Sequence, residues 1–236
     1  MHSFFTPDIT ESFYELNPEE TKHALKVLRL NTGDRLYLAD GKGHRFLAEI
    51  ESFSGKTCRV NILESETADP KTYRCEIAIA PPKTAARLEF MLEKLTELSV
   101  DKIILFRSAN SERNKVKHER LQKILIAGLK QSQNYYLPEL VSMPTFNELI
   151  NQDFQGQRFI AHCYENDKKS LKTLAQAGEN VQILIGPEGD FRPEEIQSAL
   201  NIGFFEISLT RQRLRTETAA LYAAQAVEFI NQKSEV

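Results

Sequence analysis

Two connections in the last third of the chain carry residue types that can hold a ligand and stabilise negative charge. The first reads Gly186-Pro187-Glu188-Gly189-Asp190-Phe191 and follows a short apolar segment. Two glycines around a rigid Pro-Glu pair allow a sharp turn and a close approach of the backbone to a ligand. A plain strand-to-helix turn uses the same residue types, whereas the fingerprints of a phosphate loop and of a dinucleotide fold are missing from this segment. We therefore expect main-chain groups to be the ligand-binding groups here.

The second connection carries three arginines within five positions, Arg211, Arg213 and Arg215, just before an alanine-rich segment of helical character. Thr216 or Thr218 can cap that helix, and a helix N-terminus beside three guanidinium groups makes an electropositive site. A solvated basic connection is the alternative. A loop of this charge between a buried strand and a buried helix is more typical of a binding site than of a spacer.

The elements that must position these connections alternate regularly. Predicted strands lie at 76–80, 103–106, 159–163, 181–185 and 204–209, and predicted helices at 88–98, 116–131, 171–177, 193–200 and 218–230. Strand and helix in alternation predict an α/β domain with a mostly parallel sheet covered on both faces. In such sheets ligands bind outside the carboxyl ends of the strands, so we expect both connections at that edge.

The first seventy residues predict a smaller, β-rich unit. A helix begins at Asn17–Pro18, with Glu20 placed for a capping box, and ends near Gly33. Alternating segments and turn residues predict a compact barrel; the predicted strands are 35–39, 45–53 and 57–63, and the turn is Asp40-Gly41-Lys42-Gly43. The polar run 64–70 ends in proline, and we place the domain boundary after residue 69.

Composition narrows the class of protein further. The 236 residues are 41% hydrophobic and 27% charged, as in an ordinary globular protein. Since no segment is apolar over the roughly 18 residues of a membrane helix and the start does not resemble a signal peptide, we expect a cytoplasmic protein with no membrane partner. Cys58, Cys75 and Cys163 are too few and too dispersed to predict disulfides or a paired-cysteine zinc site. We expect no metal.

The net charge of −3 argues against a nucleic-acid partner until its distribution is considered. Residues 102–130 contain eight Lys or Arg against two acids, and the arginines of the second connection form another basic cluster. The first cluster is explained equally well by a solvated helix face and by contact with RNA phosphates.

Taken together, these residues resemble the ribosomal RNA small subunit methyltransferase E family of SPOUT enzymes. The similar segments are Leu184–Gly189 with Phe191 and Glu194–Glu195, Leu214–Ala219, Lys94–Leu98, Ser111–Arg113, His23–Arg29, Gly33–Asp34 and Asp40–Gly43. Two positions depart from the family's pattern. The family usually has Gly where Asp190 stands, and a Glu-Gln-Ser-x-Arg-like run where this chain has Leu129–Asn134.

The resemblance implies a fold and an activity. Residues 1–69 would form a PUA-like RNA-binding β-barrel, and residues 70–236 a trefoil-knotted SPOUT methyltransferase domain, assembled as a homodimer. S-adenosylmethionine would bind in the loops of the knot. The product would be N3-methyluridine near the decoding centre of 16S ribosomal RNA, with the small ribosomal subunit as partner.

The resemblance also implies roles for individual residues. The expected cofactor contacts are Leu184, Gly186, Pro187, Gly189, Leu209, Leu214 and Thr216. From the chemistry of the side chains, the expected RNA contacts are His23, Lys26, Arg29, Arg113, Arg211 and Arg213, although a solvated helix face is the more common explanation of His23, Lys26 and Arg29 as isolated residues. Uracil N3 keeps its proton at neutral pH, so a base must remove it or a cation must stabilise the anion. Arg215 is expected to stabilise that charge. Glu217 or Glu188 would accept the proton, although a helix cap or a salt bridge explains either glutamate equally well.

Three alternatives stay open at this stage. A SPOUT enzyme for another ribosomal or transfer RNA nucleotide would share the fold and the cofactor loops. A non-catalytic RNA-binding adaptor would have no need for Gly186, Gly189 and Arg215, which are all present. A nucleotide-binding protein of another reaction would be expected to carry the glycine fingerprints that the chain lacks.

Overall fold

The structure is a computed structural model that describes residues 1–9, 12–113, 115–165 and 167–232. The chain divides into two compact units, Met1–Pro70 with Ile126–Leu137 and Lys71–Leu125 with Pro138–Val236. The sequence prediction placed all of 126–137 in the second domain, whereas the structure groups this segment with the first unit. No helix in the described part of the chain is long and apolar enough to cross a membrane.

The first unit contains a five-stranded sheet in the order β1-β3-β4-β5-β2. Its strands are β1 (Ser3–Phe5), β2 (Phe13–Leu16), β3 (Arg35–Ala39), β4 (His44–Ser54) and β5 (Thr57–Thr67). The pair β1–β3 is parallel, and the other pairs are antiparallel. Alternate residues of β3, β4 and β5 face a core around Phe4, as the period of two predicted.

The strand predicted at 57–63 is longer in the structure and includes part of the polar run in which we placed the domain boundary. Residues 64–67 continue β5 and pair with residues 44–47 of β4. Backbone hydrogen bonds need no apolar side chains, and Arg45 opposite Glu66 adds an ion pair across the two strands.

The helix of the first unit is shorter than predicted. The Asn17 side chain accepts a hydrogen bond from the Glu20 N–H at 2.9 Å and begins α1 (Pro18–Lys22), which continues as a π-helical turn, His23–Val27. The predicted capping box is wrong in its second half, because the Glu20 carboxylate binds Lys130 Nζ at 2.7 Å. That ion pair lies within the first unit and fixes the segment 126–137 to α1.

Residues 135–137 also pack on the predicted turn, Asp40–Gly43. Gly43 donates its N–H to the Tyr135 carbonyl at 3.1 Å, and Leu137 donates to the Gly41 carbonyl at 2.9 Å. The Arg45 guanidinium lies 4.6 Å from the centre of the Tyr135 ring. Glycine is required at position 43 for two reasons: its φ of +110° is unfavourable for other residues, and a side chain there would overlap the Tyr136 ring.

The second unit is built on a seven-stranded sheet in the order β10-β12-β9-β11-β6-β7-β8, with every neighbouring pair parallel. Its strands are β6 (Cys75–Ile79), β7 (Lys102–Arg107), β8 (Glu139–Thr145), β9 (Gln157–Ala161), β10 (Lys169–Ser170), β11 (Val181–Ile185) and β12 (Phe205–Ser208). The helices beyond residue 70 are α2 (Ala85–Glu97), α3 (His118–Ser132), α4 (Phe146–Ile150), α5 (Leu171–Leu174), α6 (Pro193–Asn201) and α7 (Thr216–Asn231). The predicted α/β class with a parallel sheet is confirmed.

Three elements of this unit were not predicted: β8, α4 and the two-residue strand β10. β8 and β10 are the edge strands of the sheet, and their mixed polar sequences lack the apolar run of the central strands. The capping prediction for α7 was also wrong. Arg215 occupies the N-cap position, and Thr216 is the first residue of the helix.

Candidate functional site

The carboxyl ends of three neighbouring strands surround a cavity of about 800 Å³. β9 lies between β12 and β11, so the connections that follow these strands must meet at one edge of the sheet. The cavity is lined by residues 161–165 and Lys168, 185–188 and Asp190, and 207–216, together with Arg87 and Ala219. Its volume is in the range of small-molecule and cofactor sites.

We name the three connections by their residues. The glycine loop is 186–191, the arginine loop is 209–215, and the 162–168 loop follows β9. Thr216, directly after the arginine loop, donates its hydroxyl to the carbonyl of Gly186 at 3.2 Å in a buried position. This hydrogen bond joins the two connections that the sequence singled out, and both line the same cavity.

The glycine loop is shaped by a close contact with Phe191. A Cβ added at Gly186 would lie 3.0 Å from two ring carbons of Phe191. That ring is fully buried and stacks on Phe106 with centroids 6.1 Å apart, so any shift of the ring would disturb the packing of the core. At Gly189 an added Cβ would contact the Asn110 Cβ at 3.5 Å, an ordinary distance. The structure therefore explains a requirement for glycine at position 186.

The arginine loop gives the cavity its positive charge. Arg211, Arg213 and Arg215 are exposed and line the cavity. Arg213 donates to the carbonyl of Glu188 at 3.3 Å, which is a second link between the two loops. The Glu188 carboxylate lines the cavity and accepts a hydrogen bond from the Lys83 N–H at 3.0 Å.

Glu217 is buried behind the cavity rather than in its lining. Its side chain lies 3.5 Å from the Arg87 guanidinium, and Arg87 does line the cavity. The second carboxylate oxygen of Glu217 is buried and has no hydrogen-bond partner among the described residues. The contacts of Glu217 are therefore those of a residue that positions Arg87.

The cavity also contains a cysteine, Cys163. Burial and then the charge of Asp190 raise the pKa of its thiol. A thiol with a raised pKa stays protonated at neutral pH and is a poor nucleophile. The site therefore does not favour chemistry through a cysteine adduct.

The structure brings together most of the predicted site residues. The cavity lining includes Gly186, Pro187, Glu188, Leu209, Arg211, Arg213, Leu214, Arg215 and Thr216. Leu184 instead contributes its side chain to the hydrophobic core, and Gly189 is beside the cavity without lining it. Arg113 donates to the backbone carbonyls of Pro82 and Lys83, so its guanidinium braces the chain after β6.

The remaining predicted RNA contacts lie on the first unit: His23 and Lys26 belong to the π-helical turn, and Arg29 follows it. Lys26 and Arg29 are exposed, and Arg29 adopts a left-handed backbone conformation at φ +56°. His23 packs its ring 6.0 Å from that of Phe4 and lies 3.6 Å from Glu20.

Sequence reasoning missed one wall of the cavity. The missed lining residues are Arg87, His162, Cys163, Tyr164, Glu165 and Lys168. A signal existed for the five in the 162–168 loop, because they lie at the end of the predicted strand 159–163 or directly after it, and the carboxyl ends of parallel strands share one edge. In the structure that strand ends earlier, at Ala161. The order of strands in the sheet was needed to show that β9 lies next to both β11 and β12.

Comparison with known proteins agrees with this geometry. A family profile described as "RNA methyltransferase PUA domain" matches residues 16–63, and one described as "RNA methyltransferase domain" matches residues 69–228. The chain is therefore an RNA methyltransferase with a PUA domain in front of the catalytic domain. More particularly, it belongs to the ribosomal RNA small subunit methyltransferase E family.

Several relatives support that assignment. A ribosomal RNA small subunit methyltransferase E of Bacillus subtilis is 25% identical over 230 residues, which cover 92% of this chain and 90% of the relative. The crystal structure of a probable rRNA-methyltransferase from Porphyromonas gingivalis is similar with a TM-score of 0.91 and 40% identity, covering 98% of each chain. A ribosomal RNA small subunit methyltransferase E from Neisseria gonorrhoeae, solved bound to S-adenosyl methionine, has a TM-score of 0.89 and 25% identity, with 98% of each chain covered. The predicted fold class is thus confirmed, and the trefoil knot itself stays a prediction.

We predict that Gly186→Ala lowers the free energy of unfolding by about 1–3 kcal/mol, because the new methyl group overpacks against the buried Phe191 ring. Gly189→Ala is the matched control and is expected to change it by less than about 0.5 kcal/mol. Urea unfolding of the three proteins measures both values. Equal stabilities for the two variants would show that the Gly186 contact is not a constraint.

Proposed function

We propose that this protein transfers a methyl group from S-adenosylmethionine to N3 of a uridine in 16S ribosomal RNA, near the decoding centre of the small subunit. The observation that supports this most directly is the single cavity formed by the glycine loop and the arginine loop and joined by the hydrogen bond from Thr216 to Gly186. The relatives named as small-subunit methyltransferases support the choice of RNA.

The residues of the cavity fit this cofactor. Main-chain groups of Gly186 and Pro187 are accessible from the cavity, and Leu209 and Leu214 supply apolar surface for an adenine ring. The hydroxyl of Thr216 is already committed to Gly186, so its role is to hold the loop rather than to bind ligand. The relative from Neisseria gonorrhoeae was solved with S-adenosyl methionine bound, which supports the same cofactor here.

The protein's part in the reaction is alignment and charge stabilisation. The sulfonium cofactor supplies an electrophilic methyl group with a neutral leaving group, so no covalent help is needed for that half. Arg215 lines the cavity at the N-terminus of α7, where it can stabilise negative charge that spreads onto the uracil oxygens. Glu188 lines the same cavity and is the carboxylate that we assign to accept the N3 proton. Glu217, in contact with Arg87, keeps that guanidinium in place.

RNA contact follows from the exposed cations. Arg211 and Arg213 are at the cavity mouth, where they can hold phosphates beside the target base. Lys26 and Arg29, with His23, offer a second basic surface on the PUA domain, residues 1–69 in our division of the chain. Because N3 lies on the Watson–Crick edge, the target uridine must be unpaired or turned out of its stack.

A transfer assay tests the proposed reaction. Purified protein is incubated with methyl-labelled S-adenosylmethionine and small ribosomal subunits that lack the modification, and the labelled nucleotide is mapped. We expect label at N3 of one 16S uridine. Label on another ribosomal nucleotide, or on transfer RNA offered in parallel, would replace the proposed substrate. Cofactor binding without any transfer would favour a non-catalytic adaptor.

We predict that Arg215→Ala reduces methyl transfer by about 100-fold or more, because one charge-stabilising group is lost from the reacting site. The exposed Lys172→Ala in α5 is the control and should retain wild-type transfer. Circular dichroism and sedimentation of both variants verify that fold and assembly survive. Wild-type turnover in Arg215→Ala would remove this residue from the mechanism.

We also propose that the chain forms a homodimer through α7 and the adjoining α2. Tyr222 and Phe229 are seven residues apart on one face of α7 and are 45% and 64% exposed, and Phe90 of α2 is 49% exposed. Large apolar groups exposed on two helices that pack together form a surface typical of an interface. Arg87 and Ala219 of the same helices line the cavity, so the interface would be close to the cofactor.

We predict that Phe229→Glu converts the dimer into monomers, measured by sedimentation velocity, since a charge would be buried without a partner. Phe205→Glu is the matched control, because Phe205 is 55% exposed but belongs to β12 rather than to the helical face. A monomeric wild-type protein, or a Phe229→Glu variant that stays dimeric, would rule out this interface.

A further inference from the structure

The 162–168 loop forms the wall of the cavity that the sequence did not single out, and its described residues, 162–165, 167 and 168, have unusual internal contacts. Five of them line the cavity. Two charged side chains hold the backbone of this loop: one donates hydrogen bonds to it, and the other accepts a hydrogen bond from it. Both bind main-chain groups.

Lys168 is the donor. Its ammonium lies 2.6 Å from the carbonyl oxygen of His162, 2.7 Å from the carbonyl oxygen of Tyr164 and 3.2 Å from Nδ1 of His162. An ammonium has three N–H groups, and here each has an acceptor. Lys168 therefore holds the backbone of His162 and Tyr164 in place and has no N–H left for an anionic ligand.

The contact with Lys168 also decides the protonation of His162. Because Nδ1 accepts from the ammonium, the proton of the neutral ring is on Nε2, which donates to the Glu206 carboxylate at 3.1 Å. The imidazole is fully buried. Burial and then the charge of Lys168 lower the pKa of His162 below its ordinary value of 6.5, so the ring is neutral at pH 7.

Asp190 is the acceptor. One carboxylate oxygen accepts from the Cys163 N–H at 2.7 Å and the other from the Phe191 N–H at 2.8 Å. Its backbone has φ of +63°, a left-handed conformation that favours glycine and strains other residues. The Tyr164 hydroxyl adds a further link between the two loops by donating to the Phe191 carbonyl at 3.1 Å.

We propose that Lys168 and Asp190 are positioning residues that hold residues 162–164 as a preformed wall of the methyl-donor cavity. This inference rests on the proposed function, because the wall matters to the reaction only if the cavity binds the methyl donor. A wall that is already ordered spares the ligand the entropic cost of ordering it, which appears directly as affinity.

If Lys168 is a positioning residue, cofactor affinity depends on the three hydrogen bonds of its ammonium group and not on its positive charge. Lys168→Met removes all three hydrogen bonds, and Lys168→Arg keeps the charge but replaces a compact ammonium by a planar fork that cannot reach three converging acceptors. We expect both variants to bind S-adenosylmethionine about tenfold more weakly in titration calorimetry. The neighbouring, exposed Lys169→Met is the matched control and should bind as the wild type does.

Asp190→Gly separates positioning from stability. Glycine relieves the strained backbone but removes both hydrogen bonds to the loops. Relief of the backbone strain offsets part of the lost hydrogen bonding, so we expect its free energy of unfolding to stay within about 2 kcal/mol of the wild-type value, while its affinity for S-adenosylmethionine falls about tenfold. This variant also keeps the proposal testable if Lys168→Met fails to fold.

The pH dependence of the affinity for S-adenosylmethionine is a third test. The charged and titratable groups that face His162 are Lys168 of its own loop, Glu206 of β12, Asp190 of the glycine loop and the neighbouring Cys163 and Tyr164. Since the folded pKa of His162 is depressed, the neutral ring contributes stability above its unfolded value of 6.5, and this is lost as the pH falls through the lower pKa. Protonated Nδ1 would face the ammonium, so we expect affinity to fall on the acid side of pH 6.5. His162→Asn offers an acceptor that does not titrate and should remove this part of the profile.

The outcomes separate the two proposals. If the wild type fails to bind S-adenosylmethionine at all, the proposed function is wrong. If the wild type binds, but Lys168→Met and Asp190→Gly bind equally tightly, the positioning role is wrong and the function stands. Recovery of affinity in Lys168→Arg would assign Lys168 a charge role instead. A profile unchanged by His162→Asn would contradict the link through the histidine.

Discussion

The whole site depends on the order β12-β9-β11 in a parallel sheet. Parallel strands end at the same edge, so three neighbours must send three connections to one place. The hydrogen bond from Thr216 to Gly186 then fixes the distance between the outer two, and Lys168 and Asp190 fix the loop between them. With a different strand order, the glycine loop and the arginine loop would not lie next to the same cavity.

Close packing beneath the loops makes the arrangement rigid. The Phe191 ring lies against the Gly186 backbone and stacks on Phe106 in the buried core of the second unit. Interiors of this density transmit a displacement rather than absorb it. The position of the glycine loop is therefore set by the same side chains that stabilise the fold, and a change under the loop reaches the cavity.

The central strands and the two chemically unusual loops could be predicted from sequence, because their signals are local. Val181–Ile185 is apolar at four of its five positions and was predicted to the residue. The edge strand Glu139–Thr145 was missed, since its polar residues follow no period. The 162–168 loop was missed for a different reason: its role comes from the neighbours of β9 in space. The grouping of 126–137 with the first unit likewise depends on long-range contacts such as Lys130 with Glu20. Long-range contacts of this kind cannot be predicted from a local residue pattern along the chain.

The protonation states in the cavity restrict the chemistry that the site can perform. The pKa of the Cys163 thiol is raised, so at neutral pH this side chain is a thiol and not a thiolate. The pKa of the His162 imidazole is lowered, so its ring is neutral and donates its single N–H to Glu206. Neither is available as a nucleophile or as a general base. What lines the cavity instead is a set of arginine residues, three acidic residues (Glu165, Glu188 and Asp190), and the main chain of two loops that hydrogen bonds join. A site of this composition can align two reactants and stabilise an anion between them. Direct transfer of a methyl group to a deprotonated ring nitrogen requires this alignment and this stabilisation, and it requires no covalent intermediate with the protein.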